Sequence, residues 1–162
     1  MTLGQDHTQT GFNEVFLPKE RWVDYACFKS LLNSYKQSPY YKDFNPIKLG
    51  RFLSNIILIE PLINGDQTLD DFRFLLQGEN TKPLYGNIVK TTGQQLEQHI
   101  FKRTLIVLNK LMIDKKPLMT QIERISIDKF YYKVEVLYVP FLDSEQQISK
   151  IICQLNIKMH EL

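Results

Sequence analysis

The sequence predicts an α+β fold: a five-stranded antiparallel sheet with helices on one face, plus an N-terminal helix. Three observations predict it. Residues 117–159 read as three consecutive strands. Two earlier apolar stretches, at 56–62 and 71–77, flank a turn signal at Asn64-Gly65-Asp66-Gln67. Between the two groups the pattern changes to short helical turns and one long amphipathic helix.

Residues 1–16 read as a flexible tail of polar residues without a period. Pro18 suits the first position of a helix running to about Gln37, before Ser38-Pro39. Trp22, Val23, Tyr25, Cys27, Phe28, Leu31, Leu32 and Tyr35 give that helix a broad apolar stripe. The stripe serves either core packing or a dimer interface. Asn45 as N-cap and Pro46 at the next position open a second helix to Ser54.

The run Ile56 to Leu62 reads as a buried strand. From Asp71 to Gln77, Phe72, Phe74 and Leu76 share one strand face and Arg73 takes the other. The segment after Gly78 is too rich in glycine for a long helix. Thr92-Gly93-Gln94-Gln95 has capping-box form and opens a helix from Gly93 to Ile113. Its inner stripe is Leu96, Ile100, Leu105, Leu108, Leu111 and Met112.

The first strand of the final group covers Leu118 to Ile127. A two-residue turn at Asp128-Lys129 pairs Ile127 with Phe130 and sets Glu123 opposite Val134. Glu123 then either lines a cavity, or a longer turn leaves it in water. In the middle strand Phe130, Tyr132, Val134, Val136 and Tyr138 alternate with Lys133 and Glu135. One face is apolar and the other at least partly wet. The last strand puts Ile151, Cys153, Leu155 and Ile157 on its inner face. Opposite parity in the two strands calls for an even loop, and Ser144-Glu145-Gln146-Gln147 supplies a four-residue turn.

At 162 residues the chain fits one domain, read as 17–162 with the helix over about 18–37. A net charge of +2 without a Lys/Arg block gives no footprint for nucleic acid. The apolar runs are too short for a membrane span, and no signal peptide is visible. Cys27 and Cys153 lack CxxC spacing and read as reduced core residues of a cytoplasmic protein.

The order of elements matches a PAS domain: two strands, several short helices, one long helix, three strands. More narrowly, the chain resembles a family of stand-alone bacterial PAS-type proteins. The residues that carry the resemblance are Trp22 and Tyr25 and the run NPIKLGRFLSNIILIEPL. To these add Asp71-Phe72-Arg73-Phe74-Leu75-Leu76-Gln77-Gly78-Glu79, for a family strand of form D-F-R-F-R-L-x-G-T. Gly86, Thr92-Gly93-Gln94-Gln95-Leu96 and Pro140-Phe141-Leu142-Asp143-Ser144 complete it. The match spans about Trp22 to Ile157. It departs at Leu75, Glu79 and Ser144, and in lacking an Asp before Thr92-Gly93.

The resemblance implies a sensory or regulatory module without catalytic activity, acting in trans on a signalling protein partner. A homodimer through the N-terminal helix or the sheet face is a further expectation, with neither nucleic acid nor membrane as partner. No cofactor is evident, and an unknown small molecule is the expected ligand. Its pocket would lie between sheet and helices, lined by Phe74, Leu76, Tyr85, Ile88, Leu96, Ile100, Tyr132, Val134 and Val136. The competing reading is that these side chains fill a core with no cavity, leaving a pure protein-interaction module.

Flavin photosensors of this kind carry a reactive Cys where this chain reads GENTKPLYGN, so a flavin adduct is not expected. A haem would need an axial His on the long helix. His99 is the sole candidate there, and it reads as a packing or surface residue. No His, Cys, Asp or Glu set has metal-ligand spacing. The alternative from another class is a small isomerase-like α+β enzyme. It needs a buried carboxylate beside a Tyr, a role open to Glu123 with Tyr132.

Overall fold

The computed structural model describes residues 14–21, 25–63, 69–127 and 129–161, with the backbone alone at 123–126. Trp22, Val23, the turn around Asn64-Gly65, Asp128 and the predicted tail up to Asn13 lie outside the described residues.

Six strands form one antiparallel sheet: β1 (Glu14–Leu17), β2 (Ile56–Ile63), β3 (Leu69–Gln77), β4 (Leu118–Ile127), β5 (Phe130–Leu142) and β6 (Ile148–Glu161). Their spatial order is β1-β4-β5-β6-β2-β3. The helices are α1 (Ala26–Gln37), α2 (Lys82–Tyr85) and α3 (Gln98–Asp114), with 3-10 turns between them. Two strands, short helices, one long helix and three strands thus follow one another, preceded by β1 and α1.

The sheet has six strands, not five, because residues 14–17 pair with β4 instead of trailing as a tail. Glu14 faces Ile122 and Phe16 faces Thr120 across that pair. The predicted helix start at Pro18 also shifts. Lys19–Arg21 is a 3-10 turn and α1 begins at Ala26.

Helices cover both faces of the sheet, not one. On the inner face, Val107, Leu108 and Leu111 of α3 pack over Ile57, Phe72, Phe74, Val134, Val136 and Leu155. On the outer face, Phe28 and Leu31 of α1 pack with Leu49, Met119, Leu137, Val139, Phe141 and Ile152. The residues of β5 from Val136 to Phe141 are therefore buried on either side. A strand sandwiched between two layers has no reason to alternate, and VLYVPF does not.

Register shifts in three strand pairs set which side chains reach the inner face. Between β2 and β3, Ile59 pairs with Phe74 but Leu58 pairs with Leu76, so Leu75 is the extra residue. That step leaves Leu76 off the inner face and 40% exposed. Between β4 and β5, Ile125 pairs with Tyr132 as predicted, but a shift brings Ile122 opposite Val134 in place of Glu123. Between β5 and β6, Val134 pairs with Ile157 in the expected parity. The connection there covers five residues, 143–147, not four. Asp143 N–H donates to the Gln147 carbonyl at 2.8 Å, and Gln146 takes φ 65°. A bulge beside Leu142 restores the parity that the odd loop would have broken.

Asn45 caps as predicted, its side chain accepting from Ile47 N–H at 3.0 Å. The segment it opens, Pro46–Asn55, is a 3-10 helix kinked at Gly50 with φ 54°. The Thr92–Gln95 box also forms, with Gln95 Oε1 accepting from Thr92 N–H at 2.8 Å. It closes the 3-10 turn Gly93–Gln95, and α3 starts three residues later at Gln98. Gly93 is required at that turn, because a Cβ there would lie 2.5 Å from the Phe72 ring.

Candidate functional site

Between the inner face of the sheet and α3 lies a small cavity. Its walls are Ile57 and Ile59 of β2, Phe74 of β3, Val136 and Tyr138 of β5, and Cys153 and Leu155 of β6. Its roof is Tyr85 at the end of α2, Ile88, Leu96, and Ile100, Arg103 and Thr104 of α3. Glu14 closes one side. The space open to the centre of a water-sized sphere is about 40 Å³. One water needs roughly 10–15 Å³ on that measure, whereas pockets for drug-sized ligands run to roughly 300–1,000 Å³.

Of the predicted lining, Phe74, Tyr85, Ile88, Leu96, Ile100 and Val136 surround this cavity. Three others do not. Leu76 is turned away by the β3 bulge. Val134 is wholly buried in the inner core without reaching the cavity. Tyr132 sits further along β5, paired with Ile125 and Met159, and packs at the core margin.

Tyr85 apart, the polar part of the site comes from residues outside the predicted set. Glu14 Oε1 lies 3.4 Å from Arg103 Nε, and the two side chains are 2% and 5% exposed. Glu14 Oε2 accepts from the hydroxyls of Thr120 and Tyr138. Register explains the meeting. Glu14 stands opposite Ile122 at the sheet edge, Thr120 lies two residues before Ile122 on the same face, and Tyr138 pairs with Leu118.

Burial pushes the Glu14 carboxyl above its usual value, while Arg103 and the two hydroxyl donors pull it back. Burial likewise raises the Tyr85 phenol to about 12, partly offset by Arg103 and reinforced by Glu14 and Cys153. Tyr138 is raised well above 10.0 by burial first and then by the Glu14 charge. The Cys153 thiol is held protonated by burial and by Glu14. A cysteine so placed is a poor nucleophile.

Arg103 has a sequence signal that went unused. It occupies the helical stripe Ile100-Arg103-Val107-Leu111, a lone cation at a position where the pattern calls for an apolar side chain. Tyr138 continues the even-numbered inner face of β5. Glu14 left less to find, as one acid beside a three-residue apolar run.

His99 stands outside the cavity. It lies on α3 beside Glu97, with Nε2 3.4 Å from the carboxylate, and borders an open surface hollow with Gln98, Lys102 and Ile106. Partial burial lowers its pKa against the pull of Glu97. It cannot serve as an axial ligand to a group held in the cavity, whose lining it does not join. His160 stacks on Tyr131 at the far end of β6, and His7 lies outside the described residues. Among the described residues no three His, Cys, Asp or Glu side chains gather as a metal site. None of the helices among them is long and apolar enough to cross a membrane. Cys27 and Cys153 are both free thiols.

No family model matches the chain. No curated protein matches it either. A solved structure, that of an RNA-binding Light-Oxygen-Voltage receptor, is similar with a TM-score of 0.42 and 11% identity. The alignment covers 89% of this chain and 37% of that one. A likeness this distant carries nothing about ligand or partner.

Proposed function

We propose that this protein is a non-catalytic sensory or regulatory module of PAS type, which takes a small molecule between sheet and α3 and signals in trans to a protein partner. The supporting observation is the cavity itself. It combines apolar walls with a compact polar cluster of Glu14, Arg103, Tyr85 and Tyr138. Apolar surface with a few convergent polar groups is the usual make-up of a small-molecule site.

The cavity limits what enters. Flavin and haem exceed it by far, so the bound molecule has a few heavy atoms or requires α3 and the short helices to move outward. A ligand that fits one arrangement better than the other shifts the population between them, and a partner reads the shift. The same small volume favours a second reading, a protein-interaction module whose inner core is nearly filled.

The isomerase-like alternative gains a better pair of residues than Glu123 and Tyr132, namely Glu14 and Tyr138. Yet the Glu14 carboxylate is already committed to two hydroxyls and a guanidinium. A general base needs a free lone pair within reach of substrate carbon acid.

Native mass spectrometry beside the ultraviolet-visible spectrum of freshly purified protein tests the proposal. Extra mass of a small molecule, lost on denaturation, is the expected outcome. A mass of the bare chain would favour the filled-core module instead.

A further inference from the structure

We infer that Arg103, Thr120 and Tyr138 form a receptor for a free carboxylate, which Glu14 of β1 occupies in cis until a small aliphatic carboxylic acid displaces it. The inference rests on the sensor reading and names its ligand class.

Three observations carry it. First, one carboxylate collects all the donors. Thr120 and Tyr138 both donate to Glu14 Oε2, and Arg103 Nε lies 3.4 Å from Oε1. These donors stand on β4, β5 and α3, so the cradle persists when β1 leaves. A buried guanidinium is costly without an anion, so a vacated cradle attracts another carboxylate.

Second, β1 is built to leave. Its described part, Glu14–Leu17, sits at the sheet edge and pairs with β4. Val15 and Phe16 are 57% and 37% exposed, and Leu17 is only partly buried against the outer cluster. Glu14 is its one deeply buried side chain. Short edge strands with little apolar burial open at low free energy.

Third, Glu14 lines the cavity. A ligand whose carboxylate replaces that of Glu14 can lay its hydrocarbon tail against Ile57, Phe74 and Val136. The covalent link gives Glu14 an effective concentration on the order of millimolar, so free acids compete at that level in the native chain and bind more tightly once Glu14 is removed. Displacing β1 bares the β4 edge from Met119 to Ile122, a row of unpaired backbone groups that a partner strand can join.

Sodium propionate is the probe, since its chain and carboxylate match the Glu14 side chain, with sodium chloride at equal ionic strength as control. In full-length Glu14→Ala, propionate should raise Tm by roughly 3 °C or more at concentrations well above Kd. Adding Arg103→Met should abolish that gain. In the native chain, propionate should speed amide hydrogen exchange at Val15–Leu17 and leave β5 unchanged. Equal Tm in the two salts overturns the inference, and so does a gain that survives Arg103→Met. Should Glu14→Ala not fold, unchanged exchange at Val15–Leu17 in the native chain overturns it alone. A non-acidic molecule found in the native protein, with no propionate response, removes this inference and leaves the sensor reading standing. A bare chain with no propionate response counts against both.

Discussion

Tyr85 illustrates what a single hydroxyl in this cavity does to the whole chain. Its folded pKa is about 12, above the ordinary 10.0 of an unfolded tyrosine. The folded state therefore holds the phenolic proton where the unfolded state releases it. Stability from this group is fully present below pH 10.0 and is lost as pH rises towards about 12. Two pH units correspond to roughly 2–3 kcal/mol. Urea unfolding between these pH values should show the loss, and Tyr85→Phe should flatten the slope without removing it, since Tyr138 shifts in the same direction. A slope unaltered by Tyr85→Phe would mean that the hydroxyl is in water. At this scale the sequence told part of the story. Tyr85 was singled out, because a tyrosine amid apolar neighbours has few other uses. Glu14 was not, because its burial depends on pairing with a strand more than a hundred residues away, and no local pattern encodes that.

Among the elements, α1 takes one of the two roles its sequence left open. Its apolar stripe fitted both core packing and a dimer interface. The structure spends Phe28 and Leu31 on the outer face of β5, both nearly inaccessible to solvent. Tyr25 packs edge-on against Phe28 and donates to Glu135 Oε1 at 3.2 Å, fastening the start of the helix to the sheet. Phe28→Ala should cost roughly 3–5 kcal/mol, the usual range for a buried phenylalanine. Chemical denaturation measures it, and a loss below about 1 kcal/mol would show that α1 lies loosely on the sheet. The cue for this second layer was present in the unbroken apolar runs of β5 and β6. Period-two reading passes over it, since a strand buried on both faces has no period to read. The bulges were illegible for a different reason. An extra residue at Leu75 is resolved by competition between whole strand registers, and either register satisfies the local pattern.

For the molecule as a whole, covering both faces of the sheet changes what remains for partners. Phe28 and Leu31 are unavailable to a second copy of the chain, while Tyr25, Cys27, Leu32 and Tyr35 of the same stripe are partly buried against the outer cluster. The β3 edge is not bare either. Phe74 N–H donates to the Thr91 carbonyl at 2.9 Å and Lys90 N–H to the Phe74 carbonyl at 2.8 Å, so a loop shields its centre. The remaining edge is β1. The general architecture was legible because element order and apolar pattern agree at every level of the chain. The sixth strand was not, since four residues next to a polar stretch carry almost no signal of their own.

The hairpin of β5 and β6 closes through a loop of five residues, with Asp143 Oδ1 accepting from Glu145 N–H at 2.8 Å and from Gln147 N–H at 3.0 Å. The pairing of β1 with β4, by contrast, must close a stretch of about a hundred residues. The pairing of β2 with β6 spans a similar stretch, so loop entropy and contact order favour the hairpin zipping before either long-range pairing closes. Of those two long-range pairings, that of β1 is the weaker, because β1 lies at the sheet edge with Val15 and Phe16 exposed. Asp143→Ala should accordingly slow refolding more than it speeds unfolding, while Phe16→Ala should do the opposite, and stopped-flow chevrons would separate the two. A pairing made late in folding is thus the one that binding asks to move, and the acid it carries is what decides when it lets go.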